Sequence, residues 1–403
     1  MILIVNPNNR LNSPFAAIEP PLWAGLITSD FIRRGYRSHI LDAEASNLSL
    51  DQTVVAIRYF KPSQVIVVVM GNNPSVSSTP KMSITKRLVE AIKGDFPTSV
   101  TGLHPSALPE QTTKELGVPV LKGKIFDGTP SMPWAYINPD SYRSHNWHCL
   151  DGSPRRPYGV VYTSLGCPFS CSFCNIHALY GSRDVWYREP QAVLEEIDEL
   201  VKRGVRNIKL WDELFTLNTK HVVELCSLLT ERQYDLNIWA YARVDRVSRP
   251  LLELLRQAGI KWLAYGFESS HPNDVNKRAT VQEARDATEM THRADISIIG
   301  NFLFGLGCDE ETLEFAKSLE LEYVNFYDIK PYPGSDMYKD GTDWGEYSQY
   351  KNSQSFRDKA FEGFFTDERY LHRTESKFGA QAVEHIQKML KFGKPLEVST
   401  HTN

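Results

Sequence analysis

The sequence predicts an α/β protein: a doubly wound parallel sheet at the N-terminus, then a partial barrel of six strand–helix units, then a helical C-terminal region. Three observations predict it. Short, continuous apolar runs alternate with amphipathic stretches over the first 125 residues. The same alternation resumes at residue 158 and runs to about residue 338. Between them, residues 126–157 are rich in Pro, Ser and aromatics without sustained periodicity, and read as a linker between domains.

In the first stretch, ILIVN (2–6) has a buried-strand pattern, and PPLWAGLITSDFIRRG (20–35) reads as a helix ended by Gly35. RSHILDAE (37–44) is a second strand, a helix follows near 50–60, and SQVIVVVMG (63–71) is the strongest strand of the chain. Residues 80–94 read as a helix, SVTGLHP (99–105) as a strand with a turn, and VPVLKGKI (118–125) as a fifth strand. Strands this uniformly apolar belong to parallel sheets covered on both faces. Ligands of such sheets bind beyond the carboxyl ends of the strands, which here carry NPNN (6–9), GNNPS (71–75) and GLHPSALPE (102–110).

In the second stretch, YGVVYTSLG (158–166) is a strand running into a cysteine-rich loop. The helix 189–205 has acids early and Lys202 and Arg203 late, as the helix dipole favours. Strands at 207–213, 236–244, 261–269, 297–306 and 323–335 alternate with helices at 219–232, 249–259, 281–294 and 309–319. Six such units in roughly 180 residues fall short of the ~250 that a complete eight-unit barrel takes, so a partial barrel fits. The tail from 339 to 403 is mostly helical in pattern.

Composition narrows the function. A net charge of −4 argues against a broad nucleic-acid surface, so no nucleic acid is expected as a partner. The longest apolar runs are of strand length, and MILIVNPNNR lacks the pattern of a secretory leader, so no membrane is expected and a cytoplasmic location is. In a reducing cytosol, clustered cysteines bind metal or do chemistry more often than they form disulfides.

Three of the six cysteines, Cys167, Cys171 and Cys174, fall within SLGCPFSCSFCN (164–175) at C-x3-C-x2-C spacing. Thiolates hold iron–sulfur clusters. Three on a four-iron cluster leave one iron open, as an open position distinguishes catalytic from structural zinc sites. A zinc site completed by a residue such as His177 is the alternative left by the cysteines alone. Cys149, Cys226 and Cys308 lack metal spacing.

The motif resembles that of the radical S-adenosylmethionine (radical SAM) superfamily. The resemblance extends to Phe173 before the third cysteine and to KLWDELFTLN (209–218), YARVDRVSRPLLELLRQAGIKWLAYGFESS (241–270), NKRAT (276–280), NFLFGLG (301–307) and PYPGS (331–335). It covers residues 158–338. It implies a 4Fe-4S cluster held by Cys167, Cys171 and Cys174, with S-adenosyl-L-methionine chelated to the open iron. One electron, from a reducing partner such as flavodoxin or ferredoxin, then cleaves SAM to methionine and a 5′-deoxyadenosyl radical. Carried over by position, Phe173 would lie near the adenine, and Asp212 or Glu213 would meet the methionine amino group. Arg243 would pair with the SAM carboxylate. Glu268 would approach the ribose or the methionyl end, and Gly300 and Gly305 would let backbone approach the adenine. An ion pair for Arg243, a strand bulge for the glycines and a solvated charge at Lys277 are the plainer alternatives.

Residues 1–125 resemble the Rossmann-like cobalamin-binding domain that precedes the barrel in one radical SAM class, through IEPPLWAGLITSDFIRRGYRSHILDAE (18–44) and GLHPSALPE (102–110). FEGFFTDERYLHR (361–373) resembles the C-terminal helical segment of the same class. The D-x-H-x-x-G motif that gives cobalt a histidine elsewhere is absent. Candidate corrinoid contacts are therefore Asn72, Ser75 and His104, the last equally readable as a hydrogen-bonded structural residue. The implied function is a cobalamin-dependent methyltransferase of a small molecule. The alternative is a cobalamin-free radical SAM epimerase, decarboxylase, dehydrogenase or mutase with a degenerate N-terminal domain.

Overall fold

A computed structural model describes residues 1–9, 13–339 and 356–393, and the two stretches of alternation form two parallel sheets in it. The first takes β1 (Ile2–Asn6), β2 (Ser38–Asp42), β3 (Gln64–Val69), β4 (Thr98–Gly102) and β5 (Val120–Leu121) in the order β2-β1-β3-β4-β5. Helices Leu22–Arg33, Leu50–Phe60 and Met82–Ile92 cover its faces, so β1 is buried throughout and β3 in all but its first residue. That double burial is why these strands are unbroken apolar runs. The strand order reverses between β1 and β3, which opens a crevice at their carboxyl ends.

Two elements differ from the sequence expectation. The fifth strand is only two residues long, because the chain leaves the sheet at Gly123, whose φ is +80° and whose N–H donates to Ser106 Oγ at 2.8 Å. The turn after β4 is a short helix, Leu103–Ala107, entered through Gly102 at φ +118°. A Cβ on Gly102 would sit 2.2 Å from the Val69 carbonyl oxygen, so only glycine fits there.

The second sheet contains β6 (Tyr158–Val161), β9 (Asn207–Leu210), β10 (Asn237–Ala242), β11 (Ile260–Glu268), β12 (Ser297–Phe304) and β13 (Tyr323–Asp328), all parallel and paired in chain order. Helices Pro190–Lys202, Thr219–Arg232, Arg249–Gln257, Val281–Arg293 and Asp309–Ser318 connect them on the outside. This is the partial six-unit barrel. The strand expected over 158–166 is broken in two: β7 (Ser164–Leu165) leaves the barrel and pairs antiparallel with β8 (Trp186–Tyr187). The break occurs where Asp212 captures the backbone N–H and hydroxyl of Thr163 at 2.7 and 2.6 Å.

Residues 126–157 join the sheets but are not an exposed tether. Trp134 and Trp147 are buried within them, as are Phe126, Met132 and Tyr142. Trp134 Nε1 donates to Glu196 at 2.9 Å, and Glu196 in turn pairs with the buried Arg188 at 2.7 Å. Trp147 meets Trp239 of β10 and Trp262 of β11 at ring separations of 5.2 and 5.5 Å. The segment thus closes the amino end of the barrel and leaves the carboxyl end for a site. Helices Phe356–Phe365, Glu368–Phe378 and Ala380–Gly393 pack along the far edge, with Phe365 5.0 Å from Tyr323 of β13. The rest of the expected helical tail, 340–355 and 394–403, lies outside the described residues. Among the described residues, no helix is long and apolar enough to cross a membrane.

Candidate active site

The carboxyl end of the barrel faces the carboxyl edge of the first sheet across one cavity. It encloses about 1110 Å³ of empty space, part of it open to solvent. Cys167, Cys171 and Cys174 line it together with Phe173, Asp212, Glu213, Arg243 and Glu268 from the barrel and Asn72 and Ser75 from the first sheet. Ten of the thirteen site residues expected from sequence therefore converge on one space.

The cysteine loop is shaped by backbone contacts. It starts at Gly166, with φ +105°, where a Cβ would lie 2.2 Å from the Asp184 carbonyl oxygen. Cys174 N–H donates to the Cys171 carbonyl at 3.1 Å, and Ser172 N–H to the Val275 carbonyl at 3.1 Å. His177 Nε2 lies 2.7 Å from the Cys167 carbonyl and so braces the loop from its backbone side. Burial pushes all three thiols up, Cys167 to about 12, so they favour the protonated form until a cationic metal group binds. Their sulfurs do not converge within the 4.8 Å of one another that a site for a single ion shows. A tetrahedral zinc, with Zn–S bonds of about 2.3 Å, would bring them closer. Wider spacing around a cavity suits a polynuclear cluster, and His177 turns its Nε2 to the Cys167 carbonyl rather than to the sulfurs.

The two acids after β9 differ. Asp212 is fully buried and accepts from Thr163 N–H, Thr163 Oγ1 and Ser164 Oγ, the last at 2.5 Å, so it fixes the corner between β6 and β7. Glu213 accepts from Tyr180 OH at 2.6 Å and from Gly166 N–H at 2.8 Å, tying itself to the cysteine loop. Burial lifts its carboxyl to about 7. Each of its oxygens has further acceptor capacity toward the cavity.

Arg243 is buried and forms a two-bond fork on Asp245 at 2.9 and 3.1 Å. It also donates to the Lys277 carbonyl at 2.7 Å and stacks 3.9 Å from the Phe169 ring centroid. Its charge faces the cavity beside Cys171. Glu268 sits at a β-bulge in the pairing of β11 with β12, at φ +66°, a costly conformation for a residue with a Cβ. There its carboxylate meets Lys277 Nζ at 2.6 Å, with both side chains buried.

Three expectations are corrected. Gly300 does not face the cavity: a Cβ there would strike Leu321 and Phe302 at 2.4 and 2.7 Å, so it is a packing glycine, and its strand neighbour Asn301 lines the cavity instead. Gly305 is an exposed turn glycine at φ +94° whose N–H donates to Asp309 at 2.8 Å, and it does not line the cavity either. His104 is buried behind the first sheet's edge with Nδ1 3.1 Å from Thr79 Oγ1, and burial holds its pKa down at about 4. It is a neutral structural histidine outside the cavity lining.

Sequence reasoning missed Gly266 and undervalued Lys277. A Cβ on Gly266 would lie 2.3 Å from Glu268 Oε1 and 2.4 Å from Lys277 Nζ, so this glycine makes room for their ion pair. The i, i+2 spacing of Gly266 and Glu268 on one strand was the available signal. Trp211, Leu214, Tyr241, Leu303 and Tyr327, also unassigned, add apolar and aromatic surface to the wall.

A family model described as the radical SAM superfamily matches residues 161–319. These residues are a radical SAM domain. The superfamily uses a 4Fe-4S cluster and SAM, and the cavity's three spread thiols and its mixed rim of acids and one guanidinium fit both. Several relatives span most of the chain, and two of them serve as examples. An uncharacterized methyltransferase of Pyrococcus horikoshii is 25% identical over 393 residues, covering 84% of this chain and 82% of that protein. The anaerobic magnesium-protoporphyrin IX monomethyl ester cyclase of Rubrivivax gelatinosus is 24% identical over 392 residues, covering 84% and 69%. Among solved structures, the radical SAM methyltransferase TsrM from Kitasatospora setae, with cobalamin and a 4Fe-4S cluster bound, matches with a TM-score of 0.64. That match has 17% identity and covers 83% of this chain and 73% of that one, a likeness of fold. The radical SAM domain thus sits in this chain behind a parallel sheet that shares its cavity, and the chain is an enzyme.

Proposed function

We propose that this enzyme is a cobalamin-dependent radical SAM methyltransferase acting on a small molecule, with an external reductant such as flavodoxin or ferredoxin. One observation carries the reading. The segment Asn72–Val76, which follows β3 at its carboxyl edge and enters the short helix Pro74–Ser77, lines the same cavity as the three cysteines, and Ser75 Oγ lies 3.4 Å from Cys174 Sγ. A group held on that edge would face the cluster directly.

Cys167, Cys171 and Cys174 would hold the cluster, and Phe173, Glu213, Arg243 and Glu268 would hold SAM. Bound there, the cluster and SAM supply a hydrogen-abstracting carbon radical. The chain's own part is to orient and shield. Trp211, Leu214, Tyr241 and Leu303 give the cavity an apolar side that would shield a radical from water once substrate and cofactors fill the open part. Asn72, Asn73 and Ser75 offer neutral amides and a hydroxyl, a donor set suited to the amide-fringed rim of a corrinoid. With His104 outside the lining, no histidine of the cavity wall would ligate cobalt.

One contact favours the cobalamin-free reading. Helix Leu103–Ala107 of the first sheet approaches the radical SAM domain so closely that a Cβ on Gly334 would fall 2.7 Å from Ala178 Cβ and 3.1 Å from Ala107 Cβ. Anaerobic expression with hydroxocobalamin, cluster reconstitution and desalting tests the choice. The methyltransferase reading expects corrinoid absorption at a sizeable fraction of the protein. Its absence, with SAM still cleaved to 5′-deoxyadenosine under dithionite, would select the alternative. Undiminished cleavage in Cys171→Ala would remove both.

A further inference from the structure

A second set of metal donors lies outside the cavity. His271 and Asp274, in the loop after β11, and Cys308, in the loop after β12, bring a ring nitrogen, a carboxylate oxygen and a thiol sulfur within 4.8 Å of one another. Among the described residues no other three His, Cys, Asp or Glu side chains do so. We propose that these three residues bind one divalent cation of the zinc type. This goes beyond the proposed reaction and does not depend on it.

The donor set itself points to the ion. Imidazole, thiolate and carboxylate together suit zinc, whereas calcium and magnesium take oxygen ligands. Tetrahedral zinc, with bonds of about 2.0 to 2.3 Å, sets its donors at fixed angles. His271 and Asp274 are exposed and Cys308 is half-buried, so side-chain rotation can bring the three donors to those angles. A fourth ligand is at hand, since Glu311 Oε2 lies 3.7 Å from His271 Nδ1. The competing contacts are single exchangeable hydrogen bonds to hydroxyls: Cys308 Sγ sits 3.6 Å from Thr312 Oγ1, and His271 Nδ1 3.2 Å from Ser270 Oγ.

The position gives the ion a task. The loop carrying His271 and Asp274 continues to Val275, whose carbonyl accepts from Ser172, to Asn276, whose amide donates to the Ser170 carbonyl at 2.8 Å, and to Lys277 on Glu268. An ion fastening that loop to the one after β12 would steady the wall against which the cysteine loop rests. It binds there as a clamp, without redox change or covalent step.

Cluster-reconstituted enzyme is incubated with a small excess of zinc chloride and desalted, and zinc and iron are counted by elemental mass spectrometry. The expected result is about one zinc retained per chain with iron unchanged, falling at least tenfold in both Cys308→Ser and Asp274→Asn while iron stays constant. The proposal is overturned if the wild type retains no zinc, if zinc enters only as iron leaves, or if either variant retains zinc like the wild type.

Discussion

Lys209 Nζ lies 2.8 Å from Glu19 Oε2, joining a barrel strand to the chain ahead of the first helix across 190 residues. Both side chains are buried. The same ammonium donates to the Asn72 carbonyl at 2.9 Å and lies 4.8 Å from the Trp239 ring centroid. Glu19 also contacts His145 at 3.2 Å. Removing one member of a buried pair strands the other charge, which costs about 3–5 kcal/mol. Lys209→Met is expected to lose that much in chemical denaturation. The Lys209→Met/Glu19→Gln double variant should lose less than the two singles together, and strict additivity would refute the coupling.

Stability should fall in mild acid because two buried histidines are held neutral. Burial lowers His104 to about 4 and His148 to about 3. In the unfolded chain both titrate near 6.5. Above that pH they are neutral in either state. Below it the unfolded chain takes up protons that the fold refuses, so stability drains away down to the folded values. From pH 7.5 to 5.5 the two together should cost about 3 kcal/mol. Urea midpoints at the two pH values measure this, and His148→Leu should roughly halve the slope.

Gly166→Ala should empty the cluster site without unfolding the protein. The new methyl would meet the Asp184 carbonyl oxygen at 2.2 Å in a left-handed turn immediately before Cys167. Iron per chain after reconstitution is expected to drop by more than half with the far-ultraviolet circular dichroism unchanged. Full iron loading would show that the turn tolerates a side chain.

Gly266→Ala separates SAM binding from cluster binding. Its methyl would displace the Glu268–Lys277 pair, and the three atoms nearest to it all belong to that pair and not to a cysteine. Iron content should match the wild type, while the SAM dissociation constant rises at least tenfold by equilibrium dialysis. An unchanged constant would take Glu268 out of the SAM site.

Much of this site was legible because its signal is local. Cys167, Cys171 and Cys174 announce themselves by spacing, whereas Asp212, Glu213 and Arg243 are picked out by the resemblance of KLWDELFTLN and YARVDRVSRPLLELLRQAGIKWLAYGFESS to radical SAM segments. What escaped depends on geometry at a distance. The i, i+2 spacing of Gly266 and Glu268 marks a shared face, but the bulge between them that turns Glu268 toward Lys277 is not written in the nine-residue strand. Gly300 was assigned a ligand contact although strand alternation sets it opposite Asn301, and only the crowding by Leu321 and Phe302 decides which face is which. His104 sits in a polar-looking loop that the fold buries. Residues 126–157 misled for a different reason: irregular chain has no period, so periodicity is blind to its two buried tryptophans.

Those tryptophans decide where the protein can be divided. Ile4, Leu22 and Trp23 of the first sheet's layer belong to one continuous apolar cluster with Trp134, Trp147 and the barrel strands. The most obvious seam in the sequence is thus not a place to cut. A fragment ending at residue 125 would carry half of a shared interior into water, and a barrel beginning at 158 would lose its floor. Shuffling one half against a foreign partner would leave part of that shared cluster without its cover on both sides, so the two sheets are to be engineered as a single piece.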